Sequence, residues 1–226
     1  MDVEFKTKTI DFYNSNYEFW VHNSRLSIRN EYLSLLGDIY DKRILDVGCG
    51  TGIDAELLSQ QGAIGIGIDL SLVSIEIAKR KNIKGWGFEI YDSEDYSDNA
   101  GFDIVLSSME LMYHHEIKKT LTNYSKLLKV KGCLLIVTNN PFLISQKYRI
   151  PYNKQCKYEH VFNEILETSQ KCYRSLENII ETSFDCNLKL KKYKELYCKH
   201  ADCKGFDQSN PNSYPDFICL LFDNHG

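Results

Sequence analysis

The chain has 226 residues, enough for one domain with a substantial core, and 43 % of them are hydrophobic. Its 27 Lys and Arg against 31 Asp and Glu leave a formal charge of −4. That balance argues against a nucleic-acid or anionic-membrane footprint, which calls for a basic face. The N-terminal MDVEFKTKTIDFY is polar and no apolar run is long enough for a membrane span, so the expected compartment is the cytoplasm. Thiols stay reduced there, and most of the eight cysteines, Cys49, Cys133 and Cys219 above all, read as small apolar residues. Cys198, His200 and Cys203 offer three ligand-type side chains but no fourth at a familiar spacing, so no metal is expected.

In chain order, residues 8–37 read as helical, with Phe12, Tyr13, Tyr17, Phe19, Trp20, Ile28, Tyr32 and Leu33 on an apolar face and Gly37 at the end. Ile44–Gly52, ILDVGCGTG, follows. Ile44, Leu45 and Val47 suit a buried parallel strand, and Gly48, Gly50 and Gly52 then permit backbone angles or a ligand approach that a Cβ would block. The spacing excludes a dinucleotide fingerprint, because Ile53 or Ala55 stands where the third glycine should be. It also excludes a phosphate loop ending in Gly-Lys-Ser/Thr. After a helix ending near Gln61, Ile64–Asp69 reads as a second strand and Ser71 as the N-cap of a helix over 72–81. An acid at the end of such a strand faces a bound ribose, whose two hydroxyls a carboxylate can accept together, and Asp69 holds that place.

A third strand over 83–90 runs into Tyr91-Asp92-Ser93-Glu94-Asp95, and a fourth covers Phe102–Ser108. Met109–His115 carries vicinal histidines, which invite a general-base reading because imidazole titrates near neutrality. A helix over 116–130 leads to a fifth strand, 133–138. The last helix is expected over 174–184, and the closing strands over 188–197 and 216–222.

The D-x-G-x-G-x-G of Asp46–Gly52 resembles motif I of the class I S-adenosylmethionine-dependent methyltransferases, and FDIVLS at 102–107 resembles their fourth strand. The resemblance covers residues 44–138. It implies an α/β fold: a doubly wound Rossmann-like seven-stranded sheet, mostly parallel with the last strand antiparallel, helices on both faces. It divides a single domain into a helical lid (1–40), a cofactor-binding core (41–138), a substrate cap (139–171) and closing elements (172–226). It implies S-adenosylmethionine as cofactor and S-adenosylhomocysteine as product, held by Tyr17, Asp46, Gly48, Cys49, Gly50, Gly52, Asp69, Leu70, Asp92, Ser93 and Ser107. His114, His115 and, in the cap, His160 are the candidates for catalytic roles. The implied reaction is methyl transfer to an O or N atom of a small-molecule acceptor, or to C or S. No nucleic acid and no membrane is expected as partner, and the protein is expected as a monomer or homodimer. Three rivals stand beside this reading: other chemistry on the same cofactor, such as intramolecular displacement; arsenite methylation; and a catalytically silent partner protein.

Overall fold

The computed structural model describes residues 3–22, 25–162, 167–197 and 215–225, without the side chains of 20–22. The alternation between short apolar strands and helices builds one seven-stranded sheet. Its strands are β1 (Arg43–Val47), β2 (Ile64–Asp69), β3 (Trp86–Ile90), β4 (Phe102–Ser108), β5 (Leu128–Asn139), β8 (Leu188–Leu196) and β9 (Phe217–Asn224). Their order is β3-β2-β1-β4-β5-β9-β8. The first five are mutually parallel, and β9 runs antiparallel to both neighbours, as the resemblance implies.

Because side chains alternate across a strand, neighbouring apolar residues serve opposite cores. Leu45, Val47, Val105, Leu134 and Ile136 pack under α6 (Ile117–Leu127) and α8 (Leu176–Asp185). Ile44, Ile104, Leu106, Leu135 and Val137 pack under α3 (Leu26–Leu33) and α4 (Ile53–Gln60). β1 is buried almost throughout because both faces are covered. The first helix after β2, α5 (Leu72–Arg80), is capped as expected, the Ser71 hydroxyl accepting from the Ser74 amide at 3.1 Å.

Two expectations change. The single N-terminal helix is instead α1 (Val3–Ser15), α2 (Tyr17–His22), α3 and a 3₁₀ turn, Ser34–Leu36, with a turn at Asn16 between the first two. Residues 139–171, expected as a substrate cap, are also more regular than their sequence suggests. They carry α7 (Pro141–Tyr148) and an antiparallel hairpin of β6 (Cys156–Phe162) and β7 (Glu167–Tyr173). Cys198, His200 and Cys203 lie outside the described residues, and among those described no helix is long and apolar enough to cross a membrane.

Candidate active site

The C-terminal ends of β1, β2, β3 and β4 meet around the glycine loop. There Gly48, Gly50 and Gly52 all have positive φ (67°, 52° and 75°). At Gly50 a Cβ would meet nothing within 4 Å, so this residue borders open space. Its amide donates to Asp69 Oδ2 at 2.9 Å, while Asp69 Oδ1 accepts from the Ser71 amide at 2.8 Å. Asp69 therefore ties the loop to the start of α5. Burial pushes its carboxyl above the usual range, an effect that these amides partly offset. Leu70, half buried, continues the same strand end.

Asp46, one residue before the end of β1, is 1 % exposed, and among the described residues neither carboxylate oxygen has a hydrogen-bond partner. Burial, then Asp54, raises its pKa well above the ordinary range. A buried carboxyl without a donor is costly, and a cation brought beside it would restore its charge. Nearby, Asp54 forms an ion pair with Arg29 and accepts from the Tyr32 hydroxyl at 2.6 Å, pinning α3 to α4. The sequence reading singled out neither Arg29 nor Asp54, since a contact between two distant helices leaves no local signature.

At the far side, Asp92 forms an ion pair with Lys6 of α1 and accepts from the Glu94 amide at 3.1 Å. The helix α1 thus lies over the strand ends. The Ser71 hydroxyl donates to Asn14 Oδ1 at 2.7 Å, and the Tyr13 and Tyr113 hydroxyls meet at 2.6 Å. Burial, chiefly, and the charge of Asp69 raise both phenols. Tyr17 is placed differently: its hydroxyl donates to Glu18 at 3.2 Å in an exposed bond. The turn at Asn16 interrupts the helical stripe, so Tyr13 and Asn14 reach the site instead. The side chain of Trp20 lies outside the described residues.

Cys49 directs its side chain into the core with Ala55, Ile75, Ala78 and Phe88, and its amide donates to the Ile68 carbonyl at 3.0 Å. The Ser93 and Ser107 hydroxyls both donate to Glu110, at 2.8 and 3.0 Å. Any contact these three make with a cofactor would involve their backbones.

Glu110 is the unforeseen centre. Met109, directly after β4, has a φ of 59°, uncommon for a non-glycine residue, and turns the chain so that Glu110 lies against Gly48. Glu110 accepts from Ser93, Ser107 and the Tyr124 hydroxyl (2.8 Å) and also contacts His114 Nε2. The other ring nitrogen of His114, Nδ1, faces Glu94 at 2.9 Å. Burial works against its charge, but the two carboxylates prevail and push the imidazole up to about 9. Both nitrogens are thus held as donors, which leaves no lone pair to accept a proton. His114 is placed as the buried cation of an ion-pair network, not as a base. His115, half exposed, reaches Glu116 at 3.1 Å. His160, on the hairpin, meets the Tyr148 hydroxyl through Nδ1 at 2.9 Å. Burial and neighbouring cations push it down to about 3, so it is neutral. The structure does not bring the three histidines together.

A small cavity, ≈ 20 Å³, lies on the cap side, lined by Met112, Asn139, Tyr158, Cys172 and Arg174 among others.

The sheet order and the glycine loop with its strand-end acids define a cofactor-binding α/β domain of the methyltransferase class. A family model described as a methyltransferase domain matches residues 20–174, more than half of the chain, and the protein belongs to that family. Among curated relatives, a ubiquinone biosynthesis O-methyltransferase of Pelagibacter ubique is 36 % identical over 112 residues, 48 % of this chain and 46 % of that protein. A second, from Coxiella burnetii, is 29 % identical over 140 residues, 60 % of this chain and 58 % of that protein. The chain spans about half the length of the curated relatives it matches. Among solved structures, a Listeria monocytogenes protein described as an S-adenosylmethionine-dependent methyltransferase superposes with a TM-score of 0.74. It is 21 % identical, and the match covers 87 % of this chain and 96 % of that one. This likeness establishes the shared fold.

Proposed function

We propose that this protein is an S-adenosylmethionine-dependent methyltransferase acting on an O or N atom of a small-molecule acceptor. The observation that carries the reading is the buried, partnerless carboxylate of Asp46 beside a glycine loop whose central member faces open space. The fit is chemical. The cofactor carries an ammonium, a ribose diol and an adenine ring; the chain offers Asp46 for the first, Asp69 for the second, and the Asp92–Ser93 segment for the third. Asp69 uses one site on each oxygen internally, and a carboxylate has about four.

When bound, the cofactor supplies a methyl group on a cationic sulfur. The protein's part is then to orient the acceptor and exclude water, and proximity of this kind is worth up to roughly 7–11 kcal/mol. The α1 helix contributes by covering the strand ends through Lys6, Tyr13 and Asn14. His114, held between carboxylates, organises β4 and the segment after it. Action in the cytoplasm, as a monomer or homodimer, is part of this proposal.

Calorimetry is expected to show one site per chain for S-adenosylmethionine and for S-adenosylhomocysteine. Binding of NAD instead would overturn the reading. Incubation with methyl-labelled cofactor and a metabolite extract is expected to move label into a product; consumption without transfer would argue for other chemistry. Asp69→Ala should weaken cofactor binding by about 1.5–3 kcal/mol, the range for hydrogen bonds to a charged group. An unchanged dissociation constant in a folded variant would remove Asp69 from the site.

A further inference from the structure

The inner face of the β6–β7 hairpin has an unusual composition. In an antiparallel pair, residues opposite one another share a face. The register sets Tyr158 opposite Lys171 and His160 opposite Ser169, with Phe162 next along β6. These are also the more buried positions, while Lys157, Glu159 and Val161 face outward. Lys171 is 3 % exposed. Its Nζ lies 4.9 Å from the ring centroid of Phe162 and 5.9 Å from that of Tyr113, and no described carboxylate pairs with it. Of the described acids on the hairpin, Glu159 faces outward, and Glu167, opposite Phe162 at the end of the inner face, is exposed and accepts from Asn16 at 2.6 Å.

A buried ammonium without a counter-ion is costly, and two aromatic faces compensate only in part. Further positive charge gathers around it. Arg25 and Lys147 both act on Lys171 and on His160, and together with burial they push the Lys171 amine down to about 7. The same face adjoins the cofactor end of the fold, because Tyr113, beneath the Lys171 amine, shares its hydroxyl contact with Tyr13 and feels the charge of Asp69. A cationic head among rings, next to the proposed cofactor end of the fold, suits a flat acid.

We infer that the inner face of the hairpin is the acceptor site and takes an aromatic carboxylate, with Lys171 holding the anion and Phe162 and Tyr113 flanking the ring. This rests on the methyltransferase reading and narrows its acceptor class. No covalent step involves Lys171; it binds and orients.

The test is calorimetry on the protein loaded with S-adenosylhomocysteine, using aromatic acids and their uncharged amides, benzoate with benzamide and salicylate with salicylamide. The acids are expected to bind about tenfold or more tightly than the amides. Lys171→Met should erase that preference and melt at or above the wild-type temperature, because it removes a buried charge, Lys171→Arg should keep the preference, and both should keep wild-type affinity for S-adenosylhomocysteine. Equal binding of acids and amides, no binding of any of them to the wild-type protein, or a preference that survives Lys171→Met would each overturn the assignment. If S-adenosylhomocysteine itself did not bind, the cofactor reading would fall. The same comparison on the unloaded protein would then decide the Lys171 site separately.

Discussion

Gly50→Val is expected to lower affinity for S-adenosylmethionine by more than about tenfold, or about 1.4 kcal/mol, in a protein that still folds. Two physical effects meet at this position. Its φ of 52° is a region that L-residues enter at a cost of roughly 1–2 kcal/mol, and a β-branched side chain fits it poorly. Yet a Cβ there would strike nothing within 4 Å, so the valine would project into the open space that the proposed cofactor occupies. Strain alone would lower the melting temperature and leave binding intact. Obstruction of the cofactor lowers affinity as well. Binding and melting measured on one preparation separate the two, and wild-type affinity in a destabilised but folded variant would remove the loop from the site. Gly48 behaves differently, because a Cβ there would lie 2.7 Å from Cγ of Glu110. Gly48→Ala should therefore disturb the network around Glu110 and act first on stability.

Glu110→Ala is expected to destabilise the fold by about 3–5 kcal/mol, the range for removing one partner of a buried ion pair. The loss is large because Glu110 accepts from Ser93, Ser107 and Tyr124 as well as contacting His114. Urea unfolding would measure it, and a loss under about 1 kcal/mol would mean that the network contributes little net stability. The pH dependence has a definite sign. The folded pKa of His114 is raised from 6.5 to about 9, so its contribution is complete below about pH 6.5 and disappears as the pH rises through about 9. The shift corresponds to about 3 kcal/mol. Glu94 and Glu110 are shifted down, Glu94 chiefly by its bond to His114 and Glu110 by His114 against the effect of burial. Their contribution is present above the ordinary value of 4.5 and is lost as the pH falls through their lowered folded values. Wild-type stability should therefore be highest between about pH 4.5 and 6.5 and fall towards pH 9, and Glu110→Ala should flatten the alkaline side. The groups facing this network include Lys119, 3.4 Å from Glu94, and Arg174, which donates to the His114 carbonyl; both stay cationic across that range.

The local sequence determined the sheet and the loop. Buried parallel strands have short apolar runs, and a turn bordering a ligand has glycines at fixed spacing, so β1, β2, β4 and the Asp46–Gly52 loop are legible from neighbouring residues alone. Strand-end acids such as Asp69 follow from the same local order. Tertiary structure decided the rest, because contacts between distant residues have no local period. The Glu110–His114–Glu94 network joins residues up to 20 positions apart, and it turned a pair of candidate bases into one buried cation and one half-exposed imidazole. Tyr13 and Tyr17 share one face of the helix expected over 8–37, but the turn at Asn16 breaks that helix, so Tyr13 meets Tyr113 while the Tyr17 hydroxyl meets Glu18 in an exposed bond. The hairpin escaped notice because its buried face carries Lys171, Ser169 and His160, so the alternation expected of a strand is hidden in polar residues. A polar residue turned inward has its reason in what it meets there, and only the folded chain shows that.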